Sequence, residues 1–115
     1  MESIDILKSI KSILEDKKVQ DIMIYRNDAL ADYFIIASLN TSKSLKAVCS
    51  VVLDYLSDIG VEKCSCEGFD HGHWIVVDAG VVVLHLFKDN VRDYYKIDEY
   101  WSDSDDFYYL EAQYM

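Results

Sequence analysis

The sequence predicts an α+β domain, a mixed five-stranded sheet with helices packed on it. Three observations lead there. Two segments carry apolar residues at helical spacing, five short segments read as strands, and the order is helix, strand, strand, helix, three strands, short helices. The chain has 115 residues, 51% hydrophobic and 28% charged, with no proline and four glycines. That composition is globular, and the length suits a single domain able to bury roughly 65% of its unfolded surface.

In residues 3–17, Ile6, Leu7, Ile10, Ile13 and Leu14 recur at helical spacing and the lysines fall elsewhere, which predicts an amphipathic helix with Ser3 as its N-cap. Residues 19–26 read as a strand and Asn27-Asp28 as a turn. The run YFIIASL at 33–39 has the length of a strand covered on both faces. Asn40, Thr41 and Ser42 are turn and N-cap candidates for a second helix over 43–59. Leu45, Val48, Cys49, Val52 and Leu56 form its apolar stripe, and Gly60 ends it. The helix between the second and third strands permits a parallel crossover. Residues 62–68 form a weak strand, 73–78 and 81–87 strong ones, and Val91 to Tyr95 a short helix.

The formal charge of −10 argues against a sequence-specific nucleic-acid binder, because that affinity rests on lysine and arginine. It suits a basic protein partner, and equally simple solubility. No run approaches the ~20 apolar residues of a membrane span. The N-terminal stretch has acidic residues and no small-residue cleavage site, so a cytoplasmic location is expected. Cys49, Cys64 and Cys66 give no disulfide framework and are expected as thiols.

The segment from Trp74 to Trp101 holds the most information. If Ala79-Gly80 form a two-residue loop, Asp78 sits opposite Val81, Val76 opposite Val83 and Trp74 opposite His85. One face then shows Trp74, Val76, Asp78, Val81, Val83, His85 and Phe87, and the other Ile75, Val77, Val82, Leu84 and Leu86. Both are largely apolar, so the second face needs another layer or a partner. Ala79 fits a type I′ turn poorly, and a longer turn shifts the register. Arg92, Tyr94, Tyr95, Tyr100 and Trp101 follow, of the residue types that dominate interface hot spots. For the aromatics the plain alternative is packing at the sheet edge, above all for Trp101.

Several strings carry a resemblance. They are Trp74-Ile75-Val76-Val77-Asp78-Ala79-Gly80, Val82-Val83-Leu84-His85-Leu86-Phe87 and Arg92-Asp93-Tyr94-Tyr95, ending near Trp101. Asp21-Ile22 and Ala31 to Ala37 followed by Thr41-Ser42 add two further blocks. Across roughly residues 6–102 this pattern resembles the ribosomal silencing factor, or Iojap-like, family. The resemblance implies a nucleotidyltransferase-like topology and a homodimer in many members. It also implies a translational repressor that binds the large-subunit ribosomal protein fourteen at the intersubunit face and blocks joining of the small subunit. The docking surface it implies here is Trp74, Asp78, Ala79, Gly80, Val81, Val83 and His85, with Arg92, Tyr94 and Tyr95 as a second tier. The sequence departs from the family at Ala79, usually a large residue, at Val81, usually acidic, and at Asn40, usually small. Residues 1–102 then form the silencing-factor domain and 103–115 an acidic-aromatic tail. That tail reads as a solvated extension, a dimer contact or an arm packed on the sheet.

Other chemistry finds little support. His71, His73, Cys64 and Cys66 lack the spacing of a zinc site. Magnesium-dependent nucleotidyl transfer needs carboxylates on strands, whereas Asp103, Asp105 and Asp106 lie in the tail. No glycine-rich phosphate cradle is present, and Cys49 reads as core. No catalytic residue, cofactor or metal is expected. A ribosome-assembly scaffold is the nearest alternative, and a nucleotidyltransferase-like enzyme the next.

Overall fold

Apolar stripes and β-branched runs determine where the chain folds back on itself. The computed structural model describes residues 2–27, 31–96, 99 and 108–110. The elements in order are α1 (Ser3–Asp16), β1 (Gln20–Asn27), β2 (Ala31–Leu39), α2 (Ser42–Asp58), β3 (Ser65–Glu67), β4 (Trp74–Asp78), β5 (Val82–Lys88), α3 (Asp89–Tyr95) and β6 (Tyr108–Leu110). They build one mixed sheet in the order β3-β4-β5-β2-β1-β6. β2 and β5 run parallel at its centre, and the other neighbours are antiparallel. The five expected strands are all present. β6 is a sixth, added to the outer side of β1 through residues that the sequence reading assigned to the tail. Expectations for Tyr100, Trp101, the 103–106 carboxylates and the turn at Asp28 fall outside the described residues.

The helix ends follow backbone chemistry. Thr41 caps α2, its Oγ1 accepting the Ser44 N–H at 3.1 Å. At the other end Gly60 has φ +84°, and the Gly60 and Val61 N–H groups donate to Ser57 and Leu56 carbonyls at 3.0 Å. That is a Schellman motif. α1 ends in the same motif with Lys18 in the left-handed position, φ +59°. The N-cap of α1 is Glu2 rather than Ser3, because the Asp5 carboxylate reaches the Glu2 N–H at 3.3 Å and extends the helix to Ser3.

α1 and α2 cover one sheet face. Leu7, Ile10, Leu14, Leu45, Val52 and Leu56 are buried against Ile24, Ile35, Ile75, Val77, Leu84 and Leu86. Fully burying a side chain of this kind contributes roughly 1.5–3 kcal/mol, so this layer dominates stability. The opposite face has its own cluster of Tyr25, Phe34, Ile36, Val83 and Phe87, with Met23, Trp74, Val76 and Val91 packed around it. α3 lies on this side. Arg92 enters the structure there, only 7% exposed, donating from one guanidinium nitrogen to the Asp21 carbonyl and the Ser38 hydroxyl, both at 2.7 Å. These bonds tie α3 to the start of β1 and the end of β2.

The β4–β5 hairpin differs from the predicted register by two residues. Trp74 pairs with Phe87, Val76 with His85 and Asp78 with Val83. The connection runs through Ala79, Gly80 and Val81, closed by the Ala79 N–H donating to the Val82 carbonyl at 2.9 Å. The cause is the residue the sequence flagged. A two-residue turn would force Ala79 to positive φ, whereas in this loop only Gly80 takes it, at +85°. A shift of two preserves the face of every strand residue. Val81, however, leaves the strand and packs with Ala79 toward the helix-covered core, not on the Trp74 face.

Candidate docking surface

Three elements converge at the outer margin of the second face. β4 brings Trp74 and Val76, β5 brings His85 and Phe87, and α3 brings Val91, Tyr94 and Tyr95. The Trp74 indole stacks on Phe87 with ring centroids 4.7 Å apart and meets Tyr95 at 5.3 Å. Tyr94 stands edge-on to Tyr95 at 5.1 Å. Tyr94 is 80% exposed and Tyr95 55%, the two most exposed large hydrophobic residues among those described. Between them lies a groove of about 440 Å3 lined by His73, Trp74, Asn90, Val91, Tyr94 and Tyr95.

Trp74 is held rather than free. Its Nε1–H donates to His85 Nδ1 at 3.0 Å. Only a neutral imidazole with its proton on Nε2 offers that acceptor. Burial favours the same state, pushing His85 from its ordinary 6.5 down to about 4, with the Asp78 carboxylate pulling weakly the other way. Gly68 sets the start of β4. It has φ +82°, and a Cβ there would overlap the Trp74 carbonyl oxygen. Glu67 is exposed beside Trp74 and Val76 at this margin.

The sequence-derived candidates therefore separate. Trp74, Tyr94 and Tyr95 meet in one aromatic cluster, and Asp78 and Gly80 are exposed at the hairpin tip. The Asp78 side chain there accepts the Gly80 N–H at 2.8 Å. His85 lies against Trp74 as its hydrogen-bond partner. Ala79 and Val83 are each 8% exposed, Val81 faces the helix side, and Arg92 is enclosed. His73, Val76, Asn90 and Val91 belong to the margin without having been singled out as site residues. Alternation along β4 points to Val76, and the i, i+4 spacing of Val91 and Tyr95 points to Val91. His71, His73, Cys64 and Cys66 do not assemble into a metal site among the described residues. No described helix is long and apolar enough to cross a membrane.

Fold and margin together define a small α+β domain that carries an exposed aromatic cluster on one sheet face. Comparison with known proteins specifies which kind. The family described as "Ribosomal silencing factor during starvation" matches residues 1–113. The ribosomal silencing factor RsfS of Bacillus subtilis (strain 168) is 33% identical over 107 residues, covering 90% of this chain and 91% of that protein. The one from Chromobacterium violaceum is 36% identical over 104 residues, covering 88% and 85%. A crystal structure of a Chromobacterium violaceum protein superposes with a TM-score of 0.83 at 34% identity, over 90% of this chain and 89% of that one. A Bacillus halodurans crystal structure gives 0.74 at 26% identity, over 84% and 93%. The chain belongs to the ribosomal silencing factor family, whose members are ribosome-associated regulators of translation rather than enzymes.

Proposed function

We propose that the chain binds the large ribosomal subunit through the margin formed by Trp74, Tyr94 and Tyr95, against large-subunit ribosomal protein fourteen at the intersubunit face. Bound there, in the cytoplasm, the body of the domain obstructs the small subunit and translation is silenced by occupancy alone. The observation that carries this reading is the exposed Tyr94–Tyr95 pair continuous with a Trp74 ring already fixed by Phe87 and His85. Aromatic anchors that need no reordering on binding lose little entropy and suit a hot spot. The charge of −10 favours encounter with a basic partner. Asp78 and Gly80 at the hairpin tip extend the surface, and Ala79, Val83, His85 and Arg92 act by shaping it.

A second reading has support in one relative. The mouse protein named "Mitochondrial assembly of ribosomal large subunit protein 1" is 26% identical over 100 residues, covering 79% of this chain and 42% of that protein. A role in large-subunit assembly would use the same surface.

Co-sedimentation with isolated large subunits tests the proposal. Wild-type protein pellets with them, and Trp74→Ala loses at least about thirtyfold in affinity, since truncating a central aromatic anchor costs upward of ~2 kcal/mol. Unchanged binding by a folded Trp74→Ala protein removes this margin from the interface.

A further inference from the structure

Three thiols gather where α2 crosses the β3 edge of the sheet, on the face opposite the docking margin. Cys49 lies on the apolar stripe of α2 and is fully buried. Cys66, the middle residue of β3, is half-buried and packs into the same core, with its Sγ 3.7 Å from that of Cys49. Cys64, two residues upstream, is half-buried against that core as well. Burial pushes the Cys49 thiol up to about 12, with Cys66 and then Cys64 adding to the rise. Burial also raises Cys64, helped by Cys66 and Asp78.

A disulfide needs its sulfurs about 2.05 Å apart, so the Cys49–Cys66 pair, at 3.7 Å, has about 1.7 Å to close. β3 is the element able to move. It has three residues and one sheet neighbour, β4. Edge strands of this kind shift at less cost than a packed helix.

We infer that Cys49 and Cys66 form a modification site, an internal dithiol that a hydroperoxide converts to a disulfide fastening β3 to α2. The Cys66 thiolate attacks the terminal peroxide oxygen, the O–O bond breaks, and the alkoxide or hydroxide released takes up the thiol's proton. Cys66 is then a sulfenic acid. Cys49 next loses its proton as its sulfur attacks the Cys66 sulfur, the S–O bond breaks, and the hydroxyl leaves as water. Two thiols have lost two electrons and two protons, and one hydroperoxide has become one alcohol (or water) and one water. Cys66 takes the first step because Cys49 is enclosed. Enclosure also controls reversal. A reducing thiolate reaches Cys66 and must expel Cys49, whose buried thiolate is a poor leaving group, so the bridge reopens slowly. β3 pairs Cys66 with Val77 and Glu67 with Val76. The bridge therefore stiffens the strand edge behind Trp74 and Val76.

The test treats the folded full-length chain with equimolar hydrogen peroxide, alkylates the remaining thiols, and maps the products by digestion and fragmentation between Cys64 and Ser65. The expected product is a monomer that is lighter by about 2 Da before alkylation, and that after it carries Cys49 joined to Cys66 and a single alkyl group, on Cys64. Cys64→Ser gives the same bridge, and amide exchange at 65–67 slows on oxidation. A Cys64–Cys66 bridge, a bridge between chains, oxidation that stops at a sulfinic acid on Cys66, or three alkylated thiols each overturns the inference. Because the readout needs no ribosome, its failure is distinguishable from failure of the docking proposal.

Discussion

Exchanging His85 for Gln removes a titrating group from beneath Trp74 while keeping an oxygen that can accept the indole N–H now held at 3.0 Å. Native His85 is neutral because burial disfavours its cation, which lowers its titration from 6.5 to about 4. In the unfolded chain the ring protonates near its ordinary value. As pH falls below 6.5 the unfolded state gains a proton that the native state refuses, and stability is lost until native His85 also titrates. The contribution is fully present above pH 6.5 and gone at about 4. At 1.36 kcal/mol per unit the whole shift corresponds to about 3 kcal/mol, of which about 2 kcal/mol is lost by pH 5. Urea unfolding followed by far-UV circular dichroism at neutral and mildly acidic pH measures the difference. The wild type loses about 2 kcal/mol more than His85→Gln between neutral pH and about pH 5. Equal losses in the two proteins refute the neutral, buried histidine and the acceptor role built on it.

Three further outcomes follow from the packing. Arg92→Leu strips the donors from the Asp21 carbonyl and the Ser38 hydroxyl and costs about 3 kcal/mol in urea unfolding. Its affinity for large subunits falls as well, because α3 carries Tyr94 and Tyr95. Gly68→Ala sets a Cβ against the Trp74 carbonyl oxygen at φ +82° and destabilises by more than about 2 kcal/mol, read from the same denaturation curves. Lys18→Gly relieves a left-handed residue at the end of α1 and raises stability by about 1 kcal/mol, seen as a higher unfolding midpoint.

The helices and central strands were legible because their apolar residues repeat at the period of the element that buries them. The stripe from Leu45 to Leu56 and the run from Tyr33 to Leu39 needed no tertiary information. The hairpin register did need it. Faces followed from alternation, but the pairing depended on whether Ala79 would accept positive φ, and the backbone avoided this by lengthening the loop. Arg92 reads as an exposed interface residue in sequence. Its enclosure depends on where α3 lands over Ser38 and Asp21, positions far apart in the chain. β6 is three residues within a segment dominated by carboxylates and aromatics, and its pairing with β1 leaves no periodic signal. The Cys49–Cys66 approach joins a helix to an edge strand and is likewise a product of packing alone.

The proposed occupancy mechanism is tested most directly by subunit joining itself. Purified large and small subunits are mixed with the protein and resolved on a sucrose gradient. The account predicts that wild-type protein migrates with free large subunits and reduces the joined fraction, and that Trp74→Ala does neither. Wild-type protein migrating with fully joined ribosomes, or leaving the joined fraction unchanged while bound, contradicts it.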